Sequence, residues 1–318
     1  MNLNYNHLIK RIGSAFLILS SLYNLYFIVP QAYAFPIYAQ QSYENPREAT
    51  GRIVCANCHL AQRNIQLEVP KSVLPNTVFE ATVTIPYNVE NKQILGSGKK
   101  GNLNIGAVLI LPDGFKIAPK ELIPDEIKQK TKNVYIQPYS TNNSNILVVG
   151  PMPSNPSQTI TFPILSPDPA KDKNVHFLKY PIYAGGNRGR GQVYPSGDKS
   201  NNNPILSPTN GKISSITKLD NEDYQINIET TDGKDFLETI PKSFELQVKE
   251  GDSVTTNQFL TQDPNVGGFG QNETEIVLQS PNRVKGMILF FIVISVAQTL
   301  FVIKKKQWEK VQASEMNF

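Results

Sequence analysis

The chain's only two cysteines stand three positions apart, in Cys55-Ala56-Asn57-Cys58-His59. Two thiols at this C-x-x-C-H spacing are placed to add across the two vinyl groups of one haem. The adjacent imidazole then reaches the iron from the same side. A thiol–disulfide redox pair is the main alternative for such cysteines. That pair belongs at a helix N-terminus in a βαβ setting, which the surrounding pattern does not show, and it leaves His59 without a role. A zinc site needs a fourth ligand, and few soft donors remain in a chain with three histidines. An exported domain built on disulfides would carry more cysteines at wider spacing.

Two apolar runs bracket the chain. The first, Ala15 to Val29, follows Lys10 and Arg11, is broken by Pro30, and leads to Ala32-Tyr33-Ala34. Basic start, apolar centre and A-x-A end read as a signal peptide over residues 1–34. The alternative is an uncleaved membrane helix, for which the run is short. Cleavage would open the mature chain at Phe35. With no Arg/Ser-rich transit peptide ahead of this leader, synthesis is expected in a bacterial cytoplasm or a plastid stroma. The second run, Gly286 to Ile303, is polar only at Ser295, Gln298 and Thr299. As a helix it rises about 27 Å, close to a bilayer core. Lys304, Lys305 and Lys306 follow, and the positive-inside rule keeps that end in the compartment of synthesis. The body ahead of the span is then exported. With 40% hydrophobic and 18% charged residues and a net charge of +4, the composition is that of an ordinary globular chain. No basic helix or zinc-finger spacing suggests nucleic acid as a partner.

Between the runs, periodicity of two dominates. Phe79, Ala81, Val83 and Ile85 alternate with polar residues, Leu103 to Leu111 and Asn145 to Val149 read as buried strands, and Gln158 to Ile164 alternates again. Turn-forming clusters separate these runs at sandwich-like intervals, and 23 prolines suit an all-β body. Asn45-Pro46-Arg47-Glu48 resembles a helix start, with Asn as cap and Pro at the first position, carrying Ile53 and Val54 toward Cys55. A polar hinge at Ser200 to Asn203 precedes a block in which Tyr224, Ile226 and Ile228 alternate, Asp232-Gly233 marks a hairpin turn, and Phe244, Leu246 and Val248 alternate again. Glu275 to Leu278 is one more strand. The expected organisation is a signal peptide (1–34), a large haem-binding β-sandwich (35–203), a small inserted, barrel-sandwich-like β domain (204–264), a return segment (265–284), one transmembrane helix (285–303) and a short tail (304–318).

The residues leave the sixth iron ligand open. His7 lies in the leader, His176 is the other histidine of the exported body, and Met152 in Gly150-Pro151-Met152-Pro153 is the methionine so placed. A further candidate is the new α-amino group of Phe35, with a reference pKa of about 7.7–8.0. It binds metal only as the neutral amine.

Long stretches resemble the cytochrome f family, the haem subunit of the cytochrome b6f complex of oxygenic photosynthesis. They are Phe35-Pro36-Ile37-Tyr38-Ala39-Gln40, Asn45 through His59, Tyr183-Ala184-Gly185-Gly186-Asn187-Arg188-Gly189-Arg190-Gly191-Gln192, Pro264-Asn265-Val266-Gly267-Gly268-Phe269-Gly270-Gln271, and the Lys-Lys-Lys tail. The resemblance spans essentially the whole length. It implies one covalent haem c, held by Cys55 and Cys58 and ligated by His59 and by the mature amine of Phe35. The family most often has Tyr at that first position, but the bond uses only the backbone nitrogen. The resemblance further implies a haem pocket from Pro36, Tyr38, Pro151, Tyr194 and Pro195, and a buried water chain along Asn187, Gln192, Asn202 and Asn265.

It implies an electron carrier rather than an enzyme. The donor would be a Rieske iron–sulfur protein and the acceptor plastocyanin or cytochrome c6. Cytochrome b6 and subunit IV would lie beside it in the thylakoid membrane of an algal plastid or a cyanobacterium, with the haem domain in the lumen. Lys92, Lys99 and Lys100 match a ridge that steers an acidic acceptor. The small domain departs from the plant pattern: residues 204–264 hold five lysines against eleven acids, a net of −6. Two rivals stand beside this reading. A membrane-tethered thiol oxidoreductase would be colourless, with a reducible Cys55–Cys58 disulfide. A non-redox β-sandwich binding module would tolerate Cys55→Ser.

Overall fold

The computed structural model describes residues 36–153 and 158–316. The leader and Phe35 lie outside the described residues. A short helix α1 (Ile37–Ser42) comes first, then the 3₁₀ turn Val54–Asn57 that contains Cys55. Strands follow as β1 (Gln66–Glu68), β2 (Ser72–Val73), β3 (Val78–Thr84), β4 (Lys92–Ile94), β5 (Lys100–Asn102), β6 (Asn104–Ile110) and β7 (Lys116–Ile117). After helix α2 (Asp125–Thr131) come β8 (Ile136–Pro138), β9 (Ile146–Pro153), β10 (Thr159–Leu165) and β11 (Lys179–Arg188). The last group is β12 (Gly211–Lys218), β13 (Tyr224–Glu229), β14 (Asp235–Ile240), β15 (Ser253–Val254), β16 (Gly268–Leu278) and the long helix α3 (Pro281–Met316).

Two sheets form a sandwich. One has the order β1-β3-β10-β7, the other β2-β16-β11-β6-β9-β8. Pairing is antiparallel except where β2 joins β16. Phe79, Ala81 and Val83 of β3 and Ile160, Phe162 and Ile164 of β10 meet Ile105, Ala107 and Leu109 of β6, Leu147 and Val149 of β9, and Ile182 and Ala184 of β11. The alternation read along residues 79–85 is the alternation between this core and solvent.

The continuous apolar runs in β6 and β9 have another cause. Their remaining residues, Val108, Ile110, Ile146 and Val148, face outward and are covered by a second apolar cluster with Ile53, Tyr139 and Phe269. These strands are buried on both faces, so a polar face is lost from the pattern. That outer face carries the Cys55 loop.

A third sheet, β14-β13-β12-β15, packs its own core from Ile213, Ile226, Ile228, Ile240, Phe244, Val254 and Leu260. Ile94 of the β4–β5 hairpin joins this core. The turn after β13 is as expected: Gly233 has φ +71, and its N–H donates to the Thr230 carbonyl at 3.0 Å.

Two local expectations are corrected. Residues 45–53 form a turn, not a helix: Asn45 Oδ1 accepts from the Arg47 N–H at 3.0 Å, and Arg47 bridges back to Ile53. Asn and Pro initiate turns as well as helices, and no helical apolar face follows here to select the helix. Phe244, Leu246 and Val248 do not make a strand. Phe244 and Val248 enter the small core from irregular chain, and Leu246 makes a single bridge to Thr261.

The helix α3 is 36 residues long, of which one 18-residue window has mean hydropathy 2.5. It is long and apolar enough to cross a membrane. It begins before the apolar run and continues past Lys304–Lys306 into the tail.

Phe162 is wholly buried between the sandwich sheets. Phe162→Ala is expected to lower stability by about 3–5 kcal/mol, read as an earlier midpoint in chemical denaturation of the detergent-solubilised chain.

Candidate haem-attachment site

The loop's shape starts from its backbone. The His59 N–H donates to the Cys55 carbonyl at 3.0 Å, and the Val54 N–H to the Pro46 carbonyl at 2.9 Å. Long-range hydrogen bonds then clasp both ends. Ahead of the cysteines, Gln271 Oε1 accepts from the Ile53 N–H at 3.0 Å while its Nε2 donates to the Gly51 carbonyl at 3.0 Å. Arg47 lies 3.8 Å above the Tyr183 ring and pins the preceding turn. Behind the cysteines, the Cys58 carbonyl accepts from the Gln192 N–H at 2.8 Å, and Gln192 Oε1 accepts from the Leu60 N–H at 3.0 Å. Asn57 Nδ2 donates to Tyr43 Oη at 3.2 Å and to Glu48 at 3.3 Å.

Glycines permit these close approaches. A Cβ on Gly191 would sit 3.1 Å from the Cys58 carbonyl oxygen, and one on Gly270 only 2.0 Å from the Arg63 carbonyl oxygen. At the second place the chain leaving His59 lies against β16, with Phe269 and Ala61 to Arg63 exchanging backbone hydrogen bonds of 2.8 Å.

The chemistry follows from burial. The two cysteines are not joined in a disulfide. Burial pushes the Cys55 thiol up to about 12, and burial also raises Cys58. A redox dithiol needs the opposite, an accessible sulfur with a depressed pKa. Burial pulls His59 from 6.5 down to about 4, so the imidazole is neutral at physiological pH, the form that binds iron. Its Nδ1 is buried without a hydrogen-bond partner, a feature that folded proteins rarely leave unanswered. Ile37, Tyr38, Leu60 and Tyr194 expose apolar surface beside the loop, Tyr38 being 57% and Leu60 56% accessible. The Tyr38 and Tyr194 rings meet edge to face at 6.2 Å. Paired thiols, a buried neutral imidazole and a bare apolar rim fit a covalently held apolar macrocycle. Among the described residues, no group of three His, Cys, Asp or Glu side chains could hold a bare metal ion.

The other expected positions divide. Pro36 precedes α1 and accepts its first hydrogen bonds through its carbonyl, and the exposed Pro195 follows Tyr194. Pro151 opens the end of β9 after a cis bond from Gly150, and its neighbour Met152 packs against the sandwich core. Gln192 and Asn202 come together, both donating to the Arg190 carbonyl, at 3.1 and 3.0 Å. Asn202 Oδ1 is buried and unpartnered. Asn187 sits on β11 over Gly106, and Asn265 accepts from the Gly267 N–H at 3.0 Å. Lys92, Lys99 and Lys100 are exposed on the β4–β5 hairpin, Lys100 lying 3.4 Å from Glu245.

Gln271, Asn57 and Tyr139 carry much of the site, and sequence reasoning gave them no role. Arg188 is a further surprise: it is 2% exposed, donates through Nη2 to the Asn64 carbonyl at 2.7 Å, and leaves Nε and Nη1 unpartnered. Burial and then the neighbouring Arg63 pull its pKa down to about 10.

The fold and this loop define a β-folded c-type cytochrome with a membrane-length anchor. Comparison with known proteins is more specific. The N-terminal family of apocytochrome F matches residues 35–189 and its C-terminal family residues 201–318. A cytochrome f of Gracilaria tenuistipitata var. liui is 64% identical over 303 residues, covering 95% of this chain and 98% of that protein. Those of Porphyra purpurea and Chlorokybus atmophyticus are 60% and 59% identical, covering 100% and 98% of this chain and 99% and 97% of theirs. The chain belongs to the cytochrome f family, electron carriers with a c-type haem.

Gln192 is 4% exposed and satisfies groups on both sides of it. Gln192→Leu leaves the Leu60 N–H and one bond at the Arg190 carbonyl without their partner. A loss of about 2–4 kcal/mol is expected, measured by denaturant titration.

Proposed function

We propose that this chain is the haem-bearing electron carrier of a cytochrome b6f complex. It takes single electrons from a Rieske iron–sulfur protein and passes them to plastocyanin or cytochrome c6. Cytochrome b6 and subunit IV are its neighbours in the thylakoid membrane, and the haem domain faces the lumen. The observation that carries the reading is the clasped C-x-x-C-H loop, with two half-buried thiols and an unpartnered neutral imidazole under an apolar rim. The family match supports the role, and the apolar helix with its Lys304–Lys306 flank supports the orientation.

The bound group supplies a one-electron ferric/ferrous couple. The chain does the rest. Cys55 and Cys58 would hold the haem through thioether bonds to its two vinyl groups. His59 would supply an imidazole nitrogen to the iron. The neutral α-amine of Phe35, created by cleavage after Ala34, would supply a second nitrogen to the iron. Met152 is a poorer candidate because it packs against the sandwich core. Pro36, Tyr38, Pro151, Tyr194 and Pro195 exclude water and so help set the potential. Asn187, Gln192, Asn202 and Asn265 line a buried water path, for which the unpartnered Asn202 Oδ1 is the supporting observation. The large and small β domains meet at residues 203–204 and 264–265.

Absorbance spectra of the purified chain test this, oxidised and reduced, before and after acid-acetone extraction. A c-type spectrum that stays with the polypeptide and lacks the far-red thioether–iron band is expected. That band would move the ligand to Met152, and a colourless chain made with haem-attachment machinery present would end the haem reading.

Lys92, Lys99 and Lys100 are proposed as the docking ridge. The acidic small domain, with Glu245 beside Lys100, confines it to one hairpin. Replacing all three by Gln is expected to slow reduction of an acidic acceptor about three- to tenfold at low salt and to flatten its salt dependence, measured by stopped flow.

A further inference from the structure

Among the described residues, Arg188 is the only charged side chain that is buried, at 2% exposure. Its strand takes it there. Ile182 and Ala184 of β11 face the sandwich core, and period two carries Gly186 and Arg188 onto the same side. A Cβ on Gly186 would meet Ile85 and Ile65, both core residues. The strand is paired on both edges, Arg188 standing opposite Ile105 of β6 and Gly268 of β16, so it does not swing out to water.

A buried cation ordinarily has a carboxylate beside it. Here Nη2 donates to the Asn64 carbonyl at 2.7 Å, and Nε and Nη1 have no protein partner. The neighbouring charge that acts on it is Arg63, of the same sign. With its pKa pulled down only to about 10, Arg188 is charged at physiological pH. Packing gives no reason for this charge, since an apolar chain would fill the place without the cost of desolvation.

What stands near it is the C-x-x-C-H loop. Asn64 is five positions after His59, which holds their Cα atoms within about 18 Å. The chain between them is tied to β16, the neighbour of β11. The Phe269 N–H donates to the Ala61 carbonyl and the Arg63 N–H to the Phe269 carbonyl, both at 2.8 Å. The charge therefore has a fixed place relative to His59.

We propose that Arg188 is a fixed buried charge that raises the reduction potential of the group carried by the C-x-x-C-H loop. The proposal rests on the reading that this group is a redox haem. Uptake of one electron removes one unit of positive charge at the iron, and a cation held nearby favours that form. At about 15–20 Å and an effective dielectric of about 20, one unit charge changes the equilibrium constant for electron uptake about four- to sevenfold. A buried charge is screened little by salt.

The test uses the full holo chain in detergent, equilibrated with ferrocyanide and ferricyanide. One electron passes between that couple and the protein, and absorbance reads the balance. Arg188→Gln keeps a donor for the Asn64 carbonyl and loses the charge, whereas Arg188→Lys keeps the charge. Arg188→Gln is expected to lower the constant for electron uptake about four- to sevenfold, with Arg188→Lys within about twofold of wild type. The gap between Arg188→Gln and wild type should be the same at about 0.05 and 0.5 M salt. A wild-type constant in Arg188→Gln overturns the proposal. So does Arg188→Lys falling as far as Arg188→Gln, which makes packing the cause, and so does a gap that closes at the higher salt. Should Arg188→Gln not fold, Arg188→Met removes the same charge with an apolar chain. A lowered constant in it supports the proposal and an unchanged one overturns it. A colourless wild type removes the haem reading and the proposal with it. A coloured wild type that its uncharged variants match overturns the role of Arg188 alone.

Discussion

Burial of β6 and β9 on both faces is the constraint on which the rest depends. Ile105, Ala107, Leu109, Leu147 and Val149 build the sandwich core, while Val108, Ile110, Ile146 and Val148 offer an apolar platform on the far side. An uncovered platform of that kind would expose apolar surface to water, so the N-terminal segment lies across it through Ile53, Cys55 and Ala56. The C-x-x-C-H loop is therefore part of what finishes the fold, and the sheet beneath it sets its position.

Hydrogen bonds then convert a platform into a shaped site. Gln271 holds the chain before the cysteines, Gln192 the chain after them, and Tyr139 the helix beside them. Gln271 and Gln192 satisfy backbone groups that no regular strand or helix pairs. Buried polar groups cost free energy when left unmade, so these few residues specify one loop geometry among many of similar apolar burial. The same logic marks Arg188 and Asn202, which also keep buried polar atoms without a partner.

Much of this was legible in the chain, unevenly. Period-two alternation in residues 79–85 located β3, because one face meets the core and the other solvent. Residues 45–53 misled, since Asn-Pro starts turns as readily as helices. Phe244 and Val248 misled in the opposite way: both are core residues, but the chain between them is irregular, and alternation alone does not distinguish the two cases. α1 passed unnoticed because a helix with no buried residue leaves no apolar stripe.

The C-x-x-C-H motif was legible in the chain alone: thiols three apart with a histidine beside them can be read without a fold, because that spacing is local. The sequence by itself also determined the anchor, since a run of apolar residues ahead of three lysines is a property of composition. Tertiary structure decided what surrounds the motif. Gln271 stands 218 positions from Ile53 and Tyr139 100 from Ala39. Such partners have no local pattern, and they meet only because antiparallel pairing and a two-faced sheet bring distant strands to one side of the same loop.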